Sequence, residues 1–328
     1  MGIGDFPIPL SPFPVPHFPF PVPHSPIPKT IDTNGHAVYN ENNAIKKTSM
    51  QDSIVILSFN KLSVTQKCVA AVVRGTRFSG PAELVVVDNG STDGSAEWIR
   101  GELAALCAER GLSFKPILND ANVGCSTARN QALAAATGDF VAFLDNDVEP
   151  ATPDWLDALR ARMEAEPDTG MVGGLLLYPP RPGRPETIQC AGVGVSRTGH
   201  VCFVGRGEPF GATYAEAREV QCLISACMMI RRSLYIKYGG FDEIFNPVQF
   251  EDFDLCYKFR ENGWKAWYEP LARMYHHEST TTAGSPSIRN AAVVVRNGLK
   301  FQRKWRHMFS QEDGPSDEEC RWRKLDLA

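Results

Sequence analysis

The sequence predicts an α/β fold: a single mixed, mainly parallel sheet flanked by helices, followed by a C-terminal helical extension. Three observations carry this expectation. Apolar runs such as Glu83-Leu-Val-Val-Val87 and Phe140-Val-Ala-Phe-Leu144 are continuous rather than alternating, the mark of strands covered on both faces. Segments of helical patterning separate them, as in repeated strand-helix units. Three of the runs end in polar clusters, and open parallel sheets bind ligands beyond the C-terminal ends of their strands.

Residues 1–49 stand apart from that pattern. Proline recurs at nearly every second or third position from Phe6 to Pro28, which removes amide donors and rules out a helix or a central strand. A flexible or polyproline II tail with a polar linker is expected there. Ser53-Ile-Val-Ile-Leu57 then reads as the first strand, with Ser58-Phe59-Asn60 at its end and a helix over about 64–74. The Glu83 run ends in Asp88-Asn89-Gly90-Ser91-Thr92-Asp93-Gly94, with a helix over about 95–110 that Ser91, Thr92 or Asp93 would cap. A third strand near 114–118 and a helix near 126–136 precede Phe140–Leu144, which runs into Asp145-Asn146-Asp147. The second half is less regular. It holds a loop-rich stretch from Tyr178 to Arg218, an apolar run ending at Ile230, and Phe250-Glu251-Asp252-Phe253-Asp254-Leu255, continuing as a helix to Asn262-Gly263. A strand from Trp267 to Tyr275 leads to His276-His277, and a basic amphipathic helix is expected over about 288–309.

Composition narrows the function classes. The chain of 328 residues is 43% hydrophobic and 22% charged, with a formal net charge of −4, which argues against a nucleic-acid partner. No apolar run approaches the roughly 20 residues of a membrane span, and the N-terminus lacks a basic start followed by an apolar signal core. A cytoplasmic chain is expected, with peripheral contact at the inner membrane face and oligomerisation left open. Nine cysteines at irregular spacing, without a Cys-x-x-Cys pair, read as reduced thiols rather than a zinc ligand set.

Four clusters can carry chemistry. Asp145 and Asp147, at i and i+2, project to one side and suit a hard cation, although Asx turns use the same residues. Asp88 ends a buried strand and can accept from a base or ribose, while neighbouring side chains cap the next helix. Neither a Gly-x-Gly-x-x-Gly nor a Gly-x-x-x-x-Gly-Lys-Ser/Thr loop is present, which disfavours dinucleotide dehydrogenases and P-loop kinases. In Asn122-Val-Gly124-Cys-Ser-Thr-Ala-Arg129-Asn130 a glycine opens a helix whose amides can meet an anion, with Arg129 nearby. Glu251-Asp252-Phe253-Asp254 places three carboxylates at a helix start, stabilised by the dipole or supplying a general base. His276-His277, following the expected strand, can be structural, or a histidine returning beside the cation-binding pair can complete a metal shell.

Taken together and in this order, residues 53 to about 282 resemble family 2 glycosyltransferases of the GT-A fold, particularly bacterial rhamnosyltransferase and O-antigen enzymes. The resemblance rests on Ile54–Asn60, Val85–Gly94, Asn122–Asn130, Phe143–Asp147, Gly240-Phe-Asp242, Phe250–Leu255 and His276-His-Glu-Ser279. It implies a Rossmann-like transferase domain over 50–282, with a nucleotide-binding half at about 50–150 and an acceptor-binding half at about 151–282. Residues 283–328 form the helical extension. It further implies inverting transfer from a nucleoside-diphosphate sugar, UDP- or dTDP-linked, to a saccharide, lipid-linked glycan or peptide acceptor, with Mn²⁺ or Mg²⁺. By the same resemblance Asp252 is the base and Glu251 orients the acceptor. Ser58, Asn60, Asp88, Asn89, Asn122, Gly124, Arg129, Asp145 and Asn146 serve the nucleotide. Asp147, Asp145 and His276 hold the metal. The competing readings are a metal-dependent phosphatase or nucleotidyltransferase using Asp145 and Asp147, and a non-catalytic sugar-nucleotide-binding protein.

Overall fold

Strand β1 (Asp52–Ser58) takes the middle of the sheet because its apolar run leaves almost nothing to solvent on either face. The computed structural model describes residues 51–277 and 290–321. The proline-rich segment and the Glu278-Ser279 end of the histidine motif lie outside the described residues. The remaining strands follow as β2 (Ala82–Asp88), β3 (Ser113–Leu118), β4 (Phe140–Asp145), β5 (Val148–Pro150), β6 (Thr169–Leu177), β7 (Ile188–Cys190), β8 (Val193–Val195), β9 (Val201–Phe203), β10 (Arg218–Val220), β11 (Cys227–Arg231) and β12 (Lys265–His276). The α-helices are α1 (Leu62–Gly75), α2 (Ser95–Trp98), α3 (Ala104–Glu109), α4 (Cys125–Ala135), α5 (Trp155–Ala165), α6 (Arg232–Tyr238), α7 (Glu251–Glu261) and α8 (Asn290–Phe309).

The main path of the sheet is β10-β12-β6-β11-β4-β1-β2-β3. Strands β3, β2, β1, β4, β6 and β12 run one way, while β11 and β10 run against them. The sheet is therefore mixed and mainly parallel, as the continuous apolar runs imply. Register brings the polar strand ends level, because Ser58 lies opposite Asp88 and Leu57 opposite Asp145.

Local differences from the sequence expectation have physical causes. The helix after β2 has Gly94 at its N-cap position, with the expected capping oxygen supplied from Asp93 just before it, and a π-helical turn at Ile99–Leu103 separates α2 from α3. The Asp93 carboxylate accepts from Ser95 N at 3.2 Å and from Leu62 N at 2.8 Å, so it serves the start of α1 as well. One carboxylate thus satisfies orphan amides of two helices. The helix after the glycine loop begins at Cys125 rather than Ser126. There Asn246 Oδ1, brought from far along the chain, accepts from Ser126 N at 3.0 Å. Gly124, at φ +90°, permits this approach; a Cβ would stand 2.3 Å from Asn246 Oδ1. In β12, Pro270 lacks an amide donor, and the pairing with β6 shifts register between Glu269 and Arg273.

Helix α8 lies against α7. Phe301, Trp305 and Phe309 recur every fourth residue, are buried, and surround the Tyr257 ring at centroid distances of 5.2, 5.7 and 5.3 Å. Each buried ring stabilises the fold by about 2–3 kcal/mol. Asp254, buried in α7, accepts from Trp305 Nε1 at 2.8 Å and pairs with Lys304 at 2.7 Å. Beyond α8, buried Glu312 accepts from Tyr257 Oη and Arg260 Nη1, both at 2.6 Å.

Candidate active site

The strand ends open into a cleft of about 1240 Å³ whose walls include Asn89, Arg129, Asp145, Asp147, Asp252 and His276. The sheet edge explains how residues so far apart in sequence meet. Strand β5 turns back after Asp147 and pairs antiparallel with the end of β12, placing His276 opposite Val148. The amide of His277 then donates to the Asp147 carbonyl at 3.0 Å. This pairing carries the His276 ring to the Asp147 carboxylate, with Nε2 and Oδ1 3.2 Å apart.

The ligating atoms of Asp145, Asp147 and His276 all lie within 4.8 Å of one another. Adjacent ligands of an octahedral Mg²⁺- or Mn²⁺-class ion stand about 3 Å apart, so the observed spacing fits such an ion. The imidazole orientation is set from behind. Gln189 donates from Nε2 to the His276 carbonyl at 3.4 Å, which turns its Oε1 toward His276 Nδ1 at 2.5 Å. A proton on Nδ1 held by that oxygen would leave the Nε2 lone pair toward Asp147, the tautomer a metal ligand needs. Gln189 escaped sequence reasoning because no local pattern ties it to His276.

Arg129 is committed to protein partners. Its guanidinium, buried in the first turns of α4, bonds Asp145 Oδ1 at 2.9 Å and Glu251 Oε1 at 2.7 Å. Burial would lower its pKa, but those carboxylates raise it, so it remains a cation. It thereby ties the Asp145 wall to the start of α7. Glu251 Oε1 also accepts from Cys125 Sγ at 3.3 Å, while its buried Oε2 has no hydrogen-bond partner among the described residues.

Asp252 sits one residue further along α7, partly buried, with its carboxylate accepting from Ser225 N at 3.2 Å and Phe253 N at 2.9 Å. Burial, reinforced by the Glu251 charge, pushes its pKa up to about 7, against the pull of Arg129 and the two amides. Such a carboxylate exchanges its proton near neutrality. Asp254, the third acid of the cluster, belongs to the α7–α8 packing instead.

The other expected residues form two groups. Asn89 and Asn122 stand on the cleft wall and join the loops, Asn89 Nδ2 donating to Asn122 Oδ1 at 3.0 Å, while Asn89 Oδ1 accepts from Val123 N at 3.1 Å. Asn146 also lines the cleft, yet its amide donates to buried Thr65 Oγ1 at 2.7 Å. Ser58, Asn60 and Asp88 turn their polar atoms into the scaffold. Ser58 Oγ lies 3.4 Å from Thr65 Oγ1, Asn60 Oδ1 accepts from Thr92 N at 2.9 Å, and Asp88 accepts from Ser91 N at 3.0 Å.

Comparison with known proteins agrees with this architecture. A family model described as glycosyl transferase family 2 matches residues 53–239, more than half of the chain. The uncharacterized protein y4gI of Sinorhizobium fredii is 32% identical over 266 residues, covering 79% of this chain and 28% of its own length. The N-acetylglucosaminyl-diphospho-decaprenol L-rhamnosyltransferase of Mycobacterium tuberculosis is 29% identical over 231 residues, covering 65% of this chain and 72% of its own. The crystal structure of GalNAc-T7 with UDP, GalNAc and Mn²⁺ superposes with a TM-score of 0.61 at 19% identity, over 83% of this chain and 50% of that one. The chain therefore spans about a quarter of y4gI and half of the GalNAc-T7 chain. No helix among the described residues is long and apolar enough to cross a membrane. A mixed, mainly parallel GT-A sheet, a matching family model and relatives that include a rhamnosyltransferase lead to one conclusion: this chain is a member of glycosyl transferase family 2.

Proposed function

We propose that this protein transfers a sugar, with inversion, from a nucleoside-diphosphate sugar to an acceptor hydroxyl, using Asp252 as general base and a Mn²⁺- or Mg²⁺-class ion. The observation that carries the proposal is one cleft holding both a hard-cation ligand trio and a carboxylate whose pKa is pushed up to about 7. Asp147, Asp145 and His276 would hold the ion, which supplies positive charge to the leaving diphosphate. Asn89 and Asn122, on the facing loops, would line the nucleotide end. Asp252 would take the acceptor proton as its oxygen attacks the anomeric carbon. Glu251, which lines the cleft beside Asp252, would help orient the acceptor. Arg129 would position Asp145 and Glu251 rather than touch phosphate. The donor is UDP- or dTDP-linked in this reading, and the acceptor is a saccharide, lipid-linked glycan or peptide. The domain scheme goes with it: donor half over 50–150, acceptor half over 151–282, helical extension from 283.

A thermal-shift screen of nucleotide sugars with Mn²⁺, followed by a transfer assay on those that bind, tests the reading. A stabilising donor is expected, with the shift lost in Asp147→Asn. No shift from any UDP-, dTDP- or GDP-linked sugar, or full turnover in excess chelator, would overturn it.

A further inference from the structure

A second group of ligating side chains stands beside the first and plays no part in the transfer proposed above. Where His276 turns into the cleft, its neighbour His277, just past the end of β12, meets the Lys67 end of helix α1. There His277 meets Glu149 of β5, with Nε2 and Oε1 3.0 Å apart, and Cys68 of α1. The sulfur, carboxylate oxygen and imidazole nitrogen all lie within 4.8 Å of one another.

We propose that Cys68, Glu149 and His277 form a second metal site, one for a zinc(II)-class cation, with the fourth position open to water. The donor set differs from the first in kind. Asp145, Asp147 and His276 offer mostly hard oxygen, whereas a thiolate with an imidazole selects a softer ion. Ligands of a tetrahedral zinc stand about 3.3–3.6 Å apart, so closing the trio onto an ion needs only small movements. Three protein ligands and one solvent position match an accessible zinc centre rather than a sealed structural one.

The place is now held by a cation of the protein's own. Lys67 Nζ lies 3.2 Å from Glu149 Oε1 and 3.4 Å from His277 Nε2, yet its side chain is 58% exposed. Zinc would take the charge position of that ammonium, and Lys67 would swing into solvent. The Cys68 thiol gives up its proton to water as the sulfur–metal bond forms, with no change of oxidation state. Because the His277 amide is bonded to the Asp147 carbonyl, an ion here braces the strand pair that carries the first trio.

Cobalt(II) tests the site directly, since only a thiolate ligand gives a sulfur-to-cobalt charge-transfer band and the first trio contains no sulfur. The full chain would be titrated in a Cys202→Ser/Cys320→Ser background, which removes the two partly exposed thiols. The expected result is a band saturating at one equivalent, abolished by Cys68→Ser and retained in Asp147→Asn. Lys67→Met should tighten binding at least about tenfold by removing a competing charge. His277→Gln should weaken it at least about tenfold, and it decides the matter if Cys68→Ser proves unfolded. No band in the Cys68-containing chain, a band that survives Cys68→Ser, or an affinity untouched by His277→Gln overturns the site. Each outcome is independent of the transferase reading, because none depends on turnover.

Discussion

Replacing Asp252 with asparagine should stabilise the protein while removing its activity, and the two effects have separate pH signatures. The folded protein pushes the Asp252 carboxyl from 3.8 up to about 7. A shift of about three units, at 1.36 kcal/mol each, means that keeping Asp252 ionised costs the folded state up to about 4 kcal/mol. The sign follows from which state holds the proton more tightly. The folded pKa lies above the unfolded one, so the wild type loses stability as pH rises from about 4, and the loss is complete above about 7. Asparagine stays neutral throughout. It must still face two donors, the amides of Ser225 and Phe253, with one carbonyl oxygen, which takes back about 1 kcal/mol. The variant should therefore gain at most about 3 kcal/mol in urea denaturation at about pH 8 and lose that gain toward about pH 4. Transfer should fall by about 10²- to 10⁴-fold with donor binding intact. A stability difference that does not change with pH, or normal turnover in the variant, would refute the reasoning.

Wild-type turnover should rise with pH as Asp252 loses its proton and level off above about 7, a profile read from initial rates. Gln189→Leu removes the oxygen that holds His276 Nδ1 and should weaken Mn²⁺ binding by about 10- to 100-fold in a calorimetric titration. Arg129→Met leaves Asp145 and Glu251 without their shared cation and should cost about 3–5 kcal/mol in urea denaturation, the penalty for breaking a buried pair. Phe301→Ala empties the centre of the aromatic stripe under α8 and should cost about 3–5 kcal/mol by the same measurement.

What the chain reveals by itself follows the range of the interaction. Continuous apolar runs depend only on neighbouring residues, so β1, β2 and β4 and the polar clusters at their ends are legible without coordinates. Asp145, Asp147, Asp252 and His276 could be named in advance because each sits in a short motif. What those motifs leave out is who stands behind them. Gln189 reaches His276 across 87 positions, and Asn246 caps α4 across 120. No local pattern announces either contact. Arg129 shows the limit most clearly. Its place at a helix start suggests an anion contact, whereas folding gives it two carboxylates from different elements. Asp254 makes the converse point: three acids within four residues look alike in sequence, and only packing against Trp305 and Lys304 removes one from the cleft.

The seam between α7 and α8 bears on how such a protein could be altered or recombined. The family match stops at residue 239, yet the helix carrying Asp252 begins at Glu251 and is sheathed by Phe301, Trp305, Phe309 and Glu312. Helix α7 is thus a two-sided element, with cleft residues on one side and a footing for the last described segment on the other. A chimera that exchanged α7 alone would leave Phe301, Trp305 and Phe309 without the Tyr257 ring and Lys304 without the Asp254 carboxylate; α7 and α8 would have to travel together as one piece. Phe301, Trp305 and Phe309 are not among the cleft-lining residues, yet they are the footing of the helix that carries Asp252, so a change at any of them reaches the cleft through α7.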